Sequence, residues 1–363
     1  MMQRLFFTII LVVACATGAA AGRIEDAVSA YDRGDYAMAA RLLRPLAEQG
    51  DAQAQTNFGL MYERGQGVLQ NYQAALKWYQ VAAEQGHAPA QVSLGWMYEK
   101  GQGASQDYQA ALKWFRLVVK EGHVEAQYGL GLMYRNGHGI PQDTQEALKW
   151  FRLAAEQGHA QTQFMLGRMY HGGQGVPQDY SEAVKWYRKA AEQEVPQAQF
   201  LLGQLYYGGQ GIHLDYSEAL KWYRKAAEQG VAQAQYNLGA MYATRQGTPQ
   251  EYGQSMAQGY GQVSTRNYQE EGVKWLRLAA KQGHMMAQSN LVLMYLYGHG
   301  VPKDLIRAYM WEIVVAAVMF GGDEGQTSMR VGQSVALQMT ASEIEKAQEM
   351  ARRCQETKFT ECD

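Results

Sequence analysis

Three features are scarce in these 363 residues: cysteine, surplus charge, and any long apolar run beyond the N-terminal segment. Only three cysteines occur, and none lies between residues 16 and 353, so no cysteine-built framework or metal cluster holds the body of the chain. The formal net charge is −2 and no stretch gathers Lys and Arg into a basic track, which argues against nucleic acid as a ligand. The one later apolar segment, Ala308 to Phe320, contains Glu312 and falls short of the roughly 20 residues that cross a bilayer. No transmembrane segment is therefore expected after the leader. The motifs H-E-x-x-H, G-x-S-x-G and S-x-x-K and the phosphate loop are also missing, so neither catalysis nor a cofactor is expected. What is present is a 47% apolar composition, which excludes disorder. The length exceeds a typical core of about 100 to 200 residues, which leaves several domains or one elongated array.

The N-terminus, MMQRLFFTIILVVACATGAAAG, sets one Arg before an apolar run from Leu5 to Ala14 and then small residues. This is the layout of a secretory signal over residues 1–21, with cleavage expected between Ala19 and Gly22. A second reading takes Val12 to Cys15 as a loose lipoprotein box, with Cys15 lipidated as the first mature residue. Both place the mature chain outside the cytoplasm, in the periplasm or secreted. In that oxidising setting Cys354 and Cys362, which bracket QETKFTE, are expected to close a small structural disulfide ring. A metal or redox pair is disfavoured, because there is no C-x-x-C spacing and no neighbouring His.

Trp78, Trp114, Trp150, Trp186 and Trp222 recur at a constant interval of 36 residues; Trp275 breaks the interval and Trp311 restores it. Tyr62, Tyr98, Tyr134, Tyr170, Tyr206, Tyr242 and Tyr295 keep step. A period of about 20 to 50 residues is the mark of a solenoid. Each unit reads as two helices. In helix A of the first unit, Ala54, Phe58, Met61 and Tyr62 share one face. A glycine turn follows, beginning at Gly65, Gly101, Gly137 or Gly173. Asp179 with Glu182, and Asp215 with Glu218, announce helix B as a cap plus a carboxylate three residues on. Helix B closes at Gly86, Gly122, Gly158, Gly230 or Gly283. Glycine also recurs inside helix A, at Gly59, Gly95, Gly131, Gly167, Gly203 and Gly239. Each costs about 1 kcal/mol of helix propensity, so a ring or a neighbouring helix is expected to pack where the Cβ is missing. The Trp and Tyr columns are expected to be core.

Units such as AQVSLGWMYEKGQGASQDYQAALKWFRLVVKEG from Ala90 and AQYNLGAMYATRQGTPQEY from Ala234 resemble the Sel1-like repeat, a relative of the tetratricopeptide repeat. The resemblance covers 51–320 as seven units and implies an all-α, right-handed superhelical solenoid of antiparallel α-hairpins that serves as an adaptor. Residues 22–50 read as an N-terminal capping hairpin with Pro45 kinking its second helix, and 321–363 as C-terminal capping helices with the disulfide tail. The unit between Trp222 and Trp275 is 17 residues longer than the others, and a projecting loop is expected near 253–269, either recognising something or merely tolerated.

His87, His123, His159 and His284 share one column after the closing glycine. Adjacent repeats lie about 10 Å apart, too far to share a zinc ion whose ligands stand about 2 Å away. They are expected to be turn residues, with no metal bound. Some cysteine-rich relatives of this family act on β-lactams, but they carry a cysteine pair in each repeat, which this array lacks. The remaining candidate is the concave helix A face, where one position runs Leu60, Trp96, Leu132, Arg168, Gln204, Ala240 and Leu293. A repeating polymer would be served by similar residues at every step, whereas an irregular protein surface matches varied ones. The expected function is thus non-catalytic binding of a protein, with Leu60, Trp96 and Leu132 as apolar anchors and Arg135, Arg168 and Gln204 as polar contacts. A β-lactam-binding hydrolase and a peptidoglycan-binding envelope module are the alternatives.

Overall fold

The computed structural model describes residues 18–244, 265–318 and 331–362, and every regular element among them is an α-helix. The chain divides into two units, 1–159 and 160–363. In the first, α1 (Gly18–Asp32) pairs with α2 (Tyr36–Glu48), α3 (Ala52–Arg64) with α4 (Tyr72–Glu84), α5 (Ala88–Lys100) with α6 (Tyr108–Val119), and α7 (Val124–Asn136) with α8 (Thr144–Glu156). In the second, α9 (Ala160–Gly172) pairs with α10 (Tyr180–Glu192), α11 (Pro196–Gly208) with α12 (Tyr216–Glu228), α13 (Ala232–Thr244) with α14 (Thr265–Lys281), and α15 (Met285–Tyr297) with α16 (Leu305–Val318). Finally α17 (Ala341–Glu356) packs on α16. Within each unit the main packing is between helices consecutive in the chain, which is how a solenoid buries its surface.

Local chemistry sets the helix ends. Asp107, Asp143, Asp179 and Asp215 each accept hydrogen bonds from two backbone N–H groups of the following first turn. The carboxylates three residues on do not complete reciprocal boxes. Glu182 and Glu218 instead bond Lys185 and Lys221, at 2.5 and 2.9 Å, because the lysine one turn further on is the nearer donor. A full capping box, with both reciprocal bonds, forms at Thr340 and Glu343. In the helix A to helix B turn, Gly67 has φ 72° and a Cβ there would lie 2.1 Å from the Tyr36 carbonyl oxygen. Only glycine lets that turn rest on the preceding hairpin.

The tryptophan column is not the deepest one. Trp222 and Trp311 are buried, but Trp78, Trp114, Trp150, Trp186 and Trp275 are only half-buried. The fully buried rings belong to the next residue: Tyr79, Phe115, Phe151, Tyr187 and Tyr223. One residue along a helix turns the side chain by about 100°, and that turn carries this column onto helix A. There it meets the internal glycines. A Cβ on Gly95 would sit 2.5 Å from Phe115, and one on Gly167 would sit 2.4 Å from Tyr187. Burying such a ring contributes about 1.5 to 3 kcal/mol, which outweighs the roughly 1 kcal/mol lost to glycine.

A buried glutamine column stitches each hairpin to the one before it. Gln199 Nε2 donates to the Ala191 carbonyl at 3.1 Å, and Gln229 Nε2 donates to Gln199 Oε1 at 2.8 Å. Gln55 and Gln235 sit in the same arrangement. A polar side chain at 0% exposure is tolerated because both ends of its amide are paired.

Two expectations about the irregular parts are refined. α14 begins at Thr265, so residues 265–269 of the expected loop are helical, and 253–264 lie outside the described residues. At the C-terminus Cys354 and Cys362 are paired with Cα atoms 4.5 Å apart, and both are buried in the cluster that includes Leu291 and Trp311. The ring they close presents Phe359, whose edge would lie 3.3 Å from a Cβ on Gly283 in the α14–α15 turn. Residues 1–17, including Cys15, also lie outside the described residues.

Candidate functional site

The candidate position on helix A falls in both units. In the first unit Leu60, Trp96 and Leu132 are half-buried, at the same place on α3, α5 and α7. Arg135 is half-buried one turn beyond Leu132 and bonds Asn136 Oδ1 through Nε at 3.1 Å. In the second unit Arg168 and Gln204 are exposed on α9 and α11. Ala240 is half-buried and Leu293 exposed.

The geometry brings Trp96 together with rings that were not expected there. Its indole meets Phe115 edge-on at 5.1 Å, and lies 5.8 Å from Tyr128 on the next helix A. Tyr128 in turn lies 4.9 Å from His159. α5 and α7 thus touch directly, and a row of rings, Trp96, Tyr128 and His159, crosses from one repeat to the next. Burial pushes the Tyr128 phenol above its ordinary range, opposed by the charge of Arg135, so it stays a neutral donor. Lys100 Nζ stands 5.6 Å over the Trp96 ring. Tyr128, Lys100 and Arg64 were not named in advance. Arg64 and Lys100 are in fact visible as a basic pair 36 residues apart. Tyr128 follows Val92 and Thr56 in its column, so periodicity carried no signal for it.

The histidines serve the turns. His87, His123 and His284 occupy the N-cap positions of their helices, and His87 Nδ1 lies 2.8 Å from Thr56 Oγ1. Burial lowers the His87 and His284 pKa values, which keeps both rings neutral. Among the described residues no cluster of three or more His, Cys, Asp or Glu side chains has the arrangement of a metal site.

Stacked hairpins sealed by aromatic rings against helix A glycines define an α-repeat solenoid, a class whose surfaces bind rather than enclose. The repeat identity follows from the Sel1 repeat model, which matches residues 30–51, 52–87, 88–123, 124–159, 160–195, 196–231, 232–257, 251–284 and 286–311, and the chain belongs to the Sel1 repeat family. Two overlapping matches cover the lengthened unit, and the match at 30–51 lies in the N-terminal hairpin. Among solved structures, a Sel1 repeat protein from Oxalobacter formigenes is 32% identical with a TM-score of 0.59, over 71% of this chain and 99% of that one. A protective antigen present in uropathogenic Escherichia coli strains is 27% identical with a TM-score of 0.49, over 94% of this chain and 93% of that one. No curated protein matches the sequence. Sel1 repeats are typically protein-interaction scaffolds.

Proposed function

We propose that this chain is an exported, non-catalytic scaffold that binds another envelope or external protein through the concave face of its A helices. The observation that carries the proposal is a contrast between columns. The buried glycine, ring and glutamine positions repeat almost unchanged, while the outward position runs from the half-buried Leu60, Trp96 and Leu132 to the exposed Arg168 and Gln204. A frame held constant beneath a varied face suits one irregular partner surface. Leu60, Trp96 and Leu132 supply apolar anchorage, and Arg135, Arg168 and Gln204 supply orienting hydrogen bonds. The apolar leader and the buried Cys354–Cys362 pair support an oxidising destination, periplasmic or secreted, with Cys15 either removed or lipidated. Cross-linking and pull-down of the mature protein tests the surface. Partner recovery is expected to fall with Trp96→Ala, while deletion of 253–264 reports on the insertion. Undiminished recovery with Trp96→Ala would refute the proposed anchor. Mass spectrometry of the mature N-terminus decides between cleavage and lipidation.

A further inference from the structure

We infer that the C-terminal tail is a redox-set latch: with Cys354 and Cys362 joined it holds Phe359 on the α14–α15 turn and seals the end of the array, and with both thiols free it lets go. The first observation is a turn unlike its equivalents. Gly50, Gly86, Gly122, Gly158 and Gly230 each follow a B helix with positive φ, and a Cβ on any of them would meet nothing within 4 Å. Gly283 has φ 79°, and a Cβ there would lie 3.3 Å from the Phe359 ring. The tail, which follows α17, thus reaches back to a turn before α15. Phe359 is half-buried in the cluster that also holds Leu276, Leu291 and Trp311, so its seat joins α14, α15 and α16 to the last helix.

The second observation is what keeps the tail there. Lys358 and Phe359 take φ 50° and 68°, consecutive left-handed residues that carry side chains. Backbone of that kind persists only where its surroundings impose it. Here the covalent ring and the seat of Phe359 impose it together. The other fastenings are weaker. The Phe359 N–H donates to the Cys354 carbonyl at 2.8 Å, and Arg353 Nε donates to Glu361 Oε2 at 2.9 Å in an exposed ion pair. Cutting the Sγ–Sγ bond frees the left-handed pair to relax, and Phe359 leaves with it. A dithiol supplies the two electrons and two protons: one thiolate attacks a sulfur, the second displaces the mixed disulfide, and the reductant departs as its own cyclic disulfide. A disulfide-bearing oxidant runs the exchange in reverse. Cys354 and Cys362 are 0% and 2% exposed, so attack requires the tail to lift first, and Phe359 guards the bond that holds it. Resting on the exported reading above, the latch is open where the chain is made and shut where it works.

Hydrogen–deuterium exchange of the purified protein, oxidised and then treated with dithiothreitol, reads the latch. On reduction, exchange at the start of α15, residues 284–288, is expected to rise by about fivefold or more, with α3 to α8 unchanged. Phe359→Ala with its disulfide intact is expected to reproduce most of that rise. Its bond is also expected to be reduced about tenfold faster than that of the wild type, followed by mass spectrometry of alkylated thiols. Phe359→Leu should fall between the two. Unchanged exchange at 284–288 after reduction, a rise spread evenly along the chain, or equal reduction rates for wild type and Phe359→Ala overturns the latch. The exported reading fails separately: both thiols found free in protein alkylated within its own cell would sink the compartment assignment and leave the exchange result standing.

Discussion

The two units share one internal frame and present different faces. In both, a ring on helix B seats against a helix A glycine: Phe115 on Gly95 in the first, Tyr187 on Gly167 in the second. In both, a glutamine joins successive hairpins, Gln55 in one and Gln199 in the other. Yet the outward helix A position is Leu60, Trp96 and Leu132 in the first unit and begins Arg168, Gln204 in the second. Helix B differs as well. Three residues beyond the tryptophan stand Val81, Leu117 and Leu153 in the first unit, all exposed; in the second the position begins with Lys189 and Lys225, each lying over a Trp ring, and returns to an apolar residue with the exposed Leu278 and the buried Val314. The lesson is that folding constrains one set of columns and leaves another free to specialise.

If the frame is common to both units, damage to it has the same cost in each. Gly95→Ala and Gly167→Ala each force a methyl into an aromatic ring, and both are expected to cost about 3 kcal/mol in urea unfolding, the upper end for overpacking. A mild effect in one unit only would break the equivalence. The C-terminal end has a fastening with no counterpart in the first unit. Replacing Cys354 and Cys362 together by Ser is expected to cost about 2 to 3 kcal/mol, from the loop entropy of a ring this small. Faster amide exchange should then be confined to α15 to α17. Gln199→Leu removes one of the donors to the Ala191 carbonyl, which the Glu194 N–H still serves, and leaves the Gln229 side-chain amide without its 2.8 Å acceptor, so it is expected to cost about 1.5 kcal/mol. Gln55→Leu should match it, because Ala47 and Gln85 lose the same bonds. The smallest effect sharpens a local exception. Glu194 holds φ 62° where the other units place glycine, so Glu194→Gly is expected to raise stability by about 1 kcal/mol. Its 3.7 Å pair with Lys225 is exposed and offsets little of this.

Much of this frame was legible before the structure. The tryptophan column located the hairpins from α3–α4 to α15–α16, and the glycines within helix A pointed to close packing. What periodicity left undecided was which of two adjacent rings does the packing. Trp186 and Tyr187 both repeat, and only the rotation of helix B against helix A shows that Tyr187 meets Gly167. The glutamine column was equally periodic, but a polar side chain declares itself as core only when its partners are known, and those partners lie on other helices. The candidate face was legible as a position and not as a neighbourhood. Trp96 reaches Tyr128 across the boundary between repeats, a contact set by how one hairpin is turned on the next, and no single unit encodes that turn.

A photo-cross-linking amino acid placed at Leu132 and, separately, at Leu293 compares the two faces at one repeat position. With the protein exported from its own cell, a partner adduct is predicted from position 132 and none from 293. An adduct of equal yield from 293, or none from 132 in folded protein, would contradict the placing of the apolar anchorage at Leu60, Trp96 and Leu132.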